Sequence, residues 1–572
     1  MIQNRNSVLS GIQSFDVDKP ERHVMREDVE WSSTARDSLL LKAVRCWRSD
    51  ADYWFDNAYE RLPETVRVNP ISDDPEWVEG WLKSIDCKPI DWFDGKGSAW
   101  TMPFYRGKAE GEIKTMLTAL HDTGRLTRQE AVSMLPVIAL EPSSGDIVLD
   151  MCASPGSKTT QISEYLENSG VVVANEIIRG RVNLLVSNIQ RHRSSNSVIV
   201  NHDARHLPRV PQNGYDKILV DVPCTGTGTT RKNPDVWSRW KPNDGRSMQK
   251  LQIDILLRAI RLIKPGGRIV YSTCSLDPIE NEAVVAEVMR QNPGLKLVSA
   301  HEVIPRLNAS KGLKKWPLID DNCSIIEDDA RESFKSPQEK EIQNQLPMCM
   351  RVWNDQSEGG GFFLAIIESP EDGLGNRLRE VEQYLTLEEA PEDPDNTPRP
   401  INSDENQMLK SHLGTIPENL WIRGKKILWS TTEINEMWKQ ERSRKAGRVR
   451  IPGERWKPLK VIHLGIEVIH LRKNSFERIV GSAASKIADS ISQGITEVST
   501  EKINYLLTGN EPEPNDFDLK IAEIRGSHLL RDSSDGTTIP IWIGGRVTLM
   551  LRNAERTVLC ARRKIEIVVD SE

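Results

Sequence analysis

A chain of 572 residues with 76 Lys and Arg against 83 Asp and Glu carries a net charge of −7, so a polyanionic partner has to be met by local basic patches. At 28% charged and 38% hydrophobic residues the composition suits folded domains rather than a disordered chain, and the length predicts several of them. No apolar run approaches the ~18 residues of a membrane span.

Residues 1–60 are polar with scattered aromatics and predict an irregular or helical N-terminal extension. The first thirty hold acids and no continuous apolar core, so no secretory leader is expected. From 61 to 105 tryptophans and prolines are dense (Trp77, Trp81, Trp92, Trp100), and RLPETVRVNP and KPIDWF read as short strands. They open a small α/β unit over 61–144, in which the aromatics serve first as core. From 145 to 370 the pattern changes to short apolar strands separated by helices: DIVLD (146–150), VVVAN (171–175), SVIVN (197–201), KILVD (217–221) and GGRIVYST (266–273), with a helical stretch over 247–263 and a late strand in GFFLAIIES (361–369). That alternation predicts a doubly wound, mainly parallel Rossmann-like sheet.

Residues 371–407 are rich in Pro, Asp, Glu and Asn and predict an acidic linker. The remaining 408–572 show many β-like runs (LKVIHLGIEVIHL, PIWIGGRVTLML, RRKIEIVV) and predict a β-rich domain. Within it, 439–460 holds nine Lys or Arg against two Glu, a local charge of +7. Such a run is either a solvated face or, with Trp456 interleaved, a phosphate- and base-stacking surface.

In open α/β sheets, ligands bind beyond the carboxyl ends of the strands, where strand order reverses. The first strand of this unit ends at Asp150 and runs into Cys152, Ala153, Ser154, Pro155, Gly156, Ser157 and Lys158, small residues that let a ligand approach the backbone and the following helix N-terminus. Neither GxGxxG nor GxxxxGK[ST] is present there, which argues against dinucleotide and NTP cofactors. The second strand ends at Glu176, where an acid would take ribose hydroxyls, and the third at Asp203, beside an adenine. Three acids at successive strand ends suit a cofactor with a positive charge and no phosphates. S-adenosylmethionine fits; ordinary solvated caps are the alternative.

Eight cysteines, none in a CxxC pair, predict free thiols, a reducing compartment and no zinc site. A cytoplasmic location is the default, or a nuclear one in a eukaryote. Two of the thiols stand apart, because the fourth strand ends as Asp221-Val222-Pro223-Cys224-Thr225-Gly226-Thr227-Gly228 and the fifth as Ser272-Thr273-Cys274-Ser275. Both should emerge on the functional edge. LDMCASPGSKTTQISEYL, VDVPCTGTGTTRKNPDVWSRW and YSTCSLDPIENEAVV resemble the signature blocks of the NOL/NOP/Sun family of RNA cytosine-5 methyltransferases, closest to the eukaryotic and archaeal tRNA-modifying branch. The resemblance is firm over 85–370 and loose over 408–572. It departs at TGTG, where the family often has SGDG or SGLG.

The resemblance implies S-adenosylmethionine as cofactor, held by Cys152–Lys158, Glu176, Asp203 and Asp221. It implies Cys274 as the nucleophile that adds to carbon 6 of cytosine, and Cys224 as the base, or its relay, for the carbon-5 proton. Asp221 would hydrogen-bond the target base, and Lys158 would order the loop and meet Asp221 or the nucleotide. It implies tRNA as partner, RNA contacts from 61–144, and a PUA-like RNA-binding fold for 408–572. A monomer without metal or membrane association is expected. The rivals are an rRNA-specific member of the family and an RNA-binding protein that has lost catalysis. A DNA-type enzyme would use the Pro223-Cys224 thiol as nucleophile, but the Glu-Asn-Val acid of that class is absent from the chain.

Overall fold

The computed structural model describes residues 31–565 except 209, 210, 212, 327–330, 371–383, 387–396, 446 and 450–458, with the backbone alone at 31, 32, 384–386 and 439–449. Most of the expected acidic linker, and the basic run up to residue 458 with Trp456, therefore lie outside the described residues or side chains.

Three short helices, Trp31–Arg36, Leu39–Trp47 and Ala51–Ala58, occupy the described part of the N-terminal extension. Their apolar faces (Leu40, Leu41, Val44, Trp54, Phe55) pack on Trp237, Trp240 and Trp353, so the Trp237 of the NPDVW run is a core residue. Next come β1 (Pro63–Val68), β2 (Lys88–Pro89), β3 (Ser98–Tyr105) and β4 (Leu126–Arg128), an antiparallel sheet of order β2-β3-β1-β4. KPIDWF is strand only at its first two residues. The core aromatics expected here are buried at Trp100 and partly buried at Trp77 and Trp81.

The central sheet holds ten strands. Five parallel ones, β5 (Ile147–Asp150), β6 (Val171–Asn175), β7 (Ser197–Val200), β8 (Tyr215–Asp221) and β9 (Ile263–Thr273), lie in the order β7-β6-β5-β8-β9. The run of Val, Ile and Leu in each reflects burial on both faces by helices, and two apolar cores lie on either side. Strand order reverses between β5 and β8, which places the crevice beside Asp150 and Asp221. Beyond β9 the strands Phe362–Glu368 and Met350–Val352 continue the sheet antiparallel. At the opposite edge Val461–Leu464 pairs antiparallel with β7, so chain from beyond the linker returns to close the central sheet.

The C-terminal part is less purely β than its runs predict. A five-stranded and a four-stranded sheet are interleaved with helices that include Ser403–Leu413, Thr500–Leu507 and Asn553–Arg563. Of the RRKIEIVV run, Arg562 and Arg563 end a helix rather than begin a strand, and 566–572 lie outside the described residues. The reason is the preceding NAERTVLCARR, whose Ala554 and Val558 recur at helical spacing and pack into the N-terminal core. Ion pairs fasten the same helix, with Arg125 between Asp74 and Glu555 at 2.7 Å each and Arg193 on Glu555 at 2.7 Å. A second buried group, Arg67 with Glu164 (2.7 Å) and His192 (2.8 Å from Glu164), joins the N-terminal sheet to the central one.

Candidate active site

The parallel register of β8 and β9 sets Asp221 directly against Ser272. Two or three residues further on, each chain turns over the sheet edge, and the two thiols meet: Cys224 Sγ lies 3.2 Å from Cys274 Sγ. The turn that carries Cys224 is pinned to the one that carries Cys274, since Gly228 N–H donates to Cys274 O (2.9 Å), Thr227 and Ser275 share a hydroxyl contact (3.0 Å), and Leu276 N–H donates to Thr227 Oγ1 (2.7 Å).

The Gly228 carbonyl also accepts from Gly361 N–H (2.7 Å), and a Cβ on Gly228 would meet Gly361 O at 2.2 Å. The TGTG departure from the family wording thus keeps the glycine that the close approach demands. Gly228→Ala is expected to push the loop carrying Cys224 off the 358–361 segment, at about 1–3 kcal/mol. Thermal unfolding should report a lowered Tm.

From the other side of the crevice, β5 ends at Asp150 and the loop leads through Gly156 (φ +111°) into the helix Ser157–Tyr165. Lys158, in its first turn, reaches Asp221 Oδ2 at 2.8 Å, while Ser272 Oγ donates to Asp221 Oδ1 at 2.7 Å. Burial opposes the charge on Lys158, but the Asp221 and Asp150 carboxylates outweigh it and hold the ammonium above its ordinary value. Its Nζ also sits 5.9 Å from the Phe362 ring centroid. Cys274, Cys224, Asp221 and Lys158 are therefore one cluster.

The acids at the other strand ends stand along the same sheet edge. Asp150 is buried; Oδ2 accepts from Thr159 Oγ1 (2.7 Å), Oδ1 has no partner among the described residues, and burial pushes the carboxyl up to about 7. Glu176 is buried, with Oε1 accepting from Ile178 N–H at 2.8 Å and Oε2 3.6 Å from Arg181. Cys152 lies among them: desolvation and then the charges of Asp150, Asp221 and Glu176 push its thiol well up. Asp203 is turned toward Arg205, which it holds in a forked contact (2.6 Å at the closest), and that guanidinium outweighs burial to keep its carboxyl below the usual range. An unpartnered buried carboxylate oxygen and converging negative charge fit a cationic group without phosphates.

Sequence reasoning missed Ser272, Phe362, Lys232 and Glu280. Ser272 and Glu280 stand in the YSTCSLDPIENE block, but nothing local shows that their side chains turn inward. Phe362 comes from a strand far along the chain. Lys232, in the RKNPD run, lines with Arg106, Arg128, Lys158 and Arg191 a cleft of about 480 Å³ between the N-terminal sheet and the 155–158 loop. Burial, then Arg106, lowers the Lys232 ammonium. Among the described residues no group of three or more His, Cys, Asp or Glu is placed to hold a metal, and no helix is long and apolar enough to cross a membrane.

A family profile described as "16S rRNA methyltransferase RsmB/F" matches residues 137–368, which hold the central sheet except for its Val461–Leu464 strand. A multisite-specific tRNA:(cytosine-C(5))-methyltransferase of Saccharomyces cerevisiae is 43% identical over 281 residues, 46% of this chain and 41% of its own length. A tRNA (cytosine(49)-C(5))-methyltransferase of Pyrococcus abyssi is 33% identical over 268 residues, 47% of this chain and 82% of its own. A crystal structure of a methyltransferase homolog from Pyrococcus horikoshii is 26% identical, with 58% of this chain and 98% of that one covered and a TM-score of 0.42. The chain spans less than half the length of the first curated relatives it matches. With the two cysteine blocks and the loop before them in order along one sheet edge, the chain belongs to the RsmB/F (NOL1/NOP2/Sun) methyltransferase family.

Proposed function

We propose that this protein methylates carbon 5 of cytosine in RNA, with tRNA as substrate, from S-adenosylmethionine and through a covalent Cys274–cytosine adduct. The observation that carries the reading is the pair of thiols 3.2 Å apart beside the Lys158–Asp221 pair. The tRNA-acting names of the relatives support the substrate.

Asp150, Glu176, Asp203 and the 152–157 loop would hold the cofactor, with Asp150 Oδ1 free for a cationic donor. When bound there, S-adenosylmethionine would supply an electrophilic methyl group, with S-adenosylhomocysteine as its leaving group. The chain's residues do the rest. Two thiols this close do not both ionise. Contact with Cys274, then burial, then the charges of Cys274 and Glu280, push the Cys224 thiol well up. Cys274, the nucleophile by family resemblance, gives its proton to solvent and attacks carbon 6 as thiolate, forming the C–S bond and making carbon 5 an enamine nucleophile. Asp221, held by Ser272 and Lys158, accepts hydrogen bonds from the exocyclic amine and the protonated ring nitrogen, and so stabilises the protonated base as the adduct forms. Once Cys274 is bonded to carbon, its negative charge no longer raises Cys224, which can lose its proton to solvent and then remove the carbon-5 proton. The C6–S bond then breaks and Cys274 returns as thiolate.

The flanking units, 61–144 and the PUA-like 408–572, would position the RNA around the 145–370 catalytic unit. Unstacking the target base costs a few kcal/mol, less at unpaired sites.

Bisulfite sequencing of tRNA and of rRNA after incubation with protein and cofactor tests the reading. Protected cytosines in tRNA support it, protection confined to rRNA moves the substrate, and protection in neither refutes the activity. Glu176→Ala should weaken cofactor binding about 10–150-fold, the worth of a charged hydrogen bond to buried hydroxyls, and leave RNA affinity unchanged. Calorimetry that finds unchanged cofactor affinity in the folded variant rejects the ribose assignment.

A further inference from the structure

One buried carboxyl joins the loops that carry the two thiols. Glu280 is fully buried, and its side chain gathers four donors from three places. Oε2 accepts from Thr225 N–H (2.9 Å) and from Gln252 Nε2 (3.0 Å); Oε1 accepts from Ser275 Oγ (2.5 Å) and from the Thr225 hydroxyl. Thr225 follows Cys224 and Ser275 follows Cys274. Gln252 also donates to Pro223 O at 3.0 Å, so both neighbours of Cys224 are tied to the same centre. The Glu280 carbonyl in turn accepts from the Tyr271 hydroxyl on β9.

Burying a carboxyl is costly unless its lone pairs are filled, and an apolar side chain would pack a core at less cost. What an apolar residue cannot do is accept from two loops at once. We propose that Glu280 is a positioning residue for the release step: it sets the turn at 223–225 against the one at 274–275, and so holds Cys224 where it can take the carbon-5 proton of a base bonded to Cys274. This rests on the RNA cytosine-5 reading above.

The inference separates adduct formation, which does not need Cys224, from release, which needs the pair in register. In Glu280→Ala the turn at Cys224 loses its two contacts to the carboxyl. A displacement of about 1 Å costs ~10²-fold in such a step. Release should slow by that order while adduct formation and cofactor KM stay unchanged, so the protein–RNA adduct should build up on denaturing gels with both cysteines intact. Glu280→Gln should recover most of the release rate. Its carbonyl can face Thr225 N–H and Gln252, and its amide can donate to the Ser275 and Thr225 hydroxyls, which turn to accept.

A merely structural role predicts something else: adduct formation and release lost in proportion, and no advantage of Gln over Ala. Either result overturns the inference. Should Glu280→Ala fail to fold, Thr225→Val decides, because it removes one donor and keeps the packing. Slowed release there supports the proposal and wild-type release overturns it. Wild-type protein that methylates no RNA sinks the functional reading itself. A Cys224→Ala adduct beside Glu280 variants that turn over normally sinks this inference alone.

Discussion

Cys224→Ala is expected to accumulate an enzyme–RNA adduct that survives denaturing electrophoresis and depends on S-adenosylmethionine, with little free product. Nothing in the first half of the reaction needs this thiol. Cys274 can still add to carbon 6 and the methyl group can still reach carbon 5, but no base is left at the sheet edge to remove the proton, so the C6–S bond persists. Removing Cys224 also removes the group that shares a proton with Cys274 at 3.2 Å, which leaves the nucleophile in place. Cys274→Ala should behave in the opposite way, with no adduct and no product, because a cytosine without a sulfur at carbon 6 has no nucleophilic carbon 5. Two structural cysteines would give matched losses of stability and no adduct from either variant. A DNA-type assignment, with Cys224 as nucleophile, predicts an adduct with Cys274→Ala and none with Cys224→Ala. That pattern would falsify the roles of both thiols.

Asp221→Asn should lower the single-turnover rate of methyl transfer by about 10²–10⁴-fold, the range in which a positioned acid or base contributes to a transition state. The loss should fall before the adduct. In a Cys224→Ala background, the Asn variant should form its covalent species slowly, whereas the single Cys224→Ala variant forms it fast and stalls. The geometry explains why the carboxylate is sensitive. One oxygen is held by Ser272 at 2.7 Å and the other by Lys158 at 2.8 Å, so the group is oriented before any base arrives. Lys158→Met keeps the length of the side chain and removes the charge. It should reproduce much of the same loss, since Asp221 would then be free to rotate and its charge would face the other acids of the crevice uncompensated. Unchanged adduct formation in either variant would show that the Lys158–Asp221 pair holds the fold and not the base.

The central sheet was legible because its strands are short, β-branched and buried on both faces, and because each ends in an acid or a small-residue loop. The expected strands at 146–150, 171–175 and 197–201 lie within a residue of β5, β6 and β7. The cysteine motifs were legible by their order along the chain. The tryptophans of 61–105 could be assigned to a core, but those of the first sixty residues were not. Trp54 packs on Trp237 at 5.7 Å, across 183 residues of chain. Only the start of the last run, Arg562 and Arg563, was misplaced, because the helical spacing of Ala554 and Val558 just before it carries the helix on to Arg563.

The sequence by itself therefore determined the kind of sheet, the edge at which chemistry can occur, and the two thiols, acid and lysine that meet there. Tertiary structure decided how they meet. The 3.2 Å approach of Cys224 to Cys274 follows from the register of β8 against β9 and from Glu280 bridging their loops. The return of Val461–Leu464 to the edge of β7, and the clamp of Glu555 on Arg125 and Arg193, join segments hundreds of residues apart. The physical reason is one of range. Periodicity and propensity act over a few residues, whereas strand register, buried ion pairs and shared protons arise only when distant segments are brought within hydrogen-bond distance and water is excluded between them.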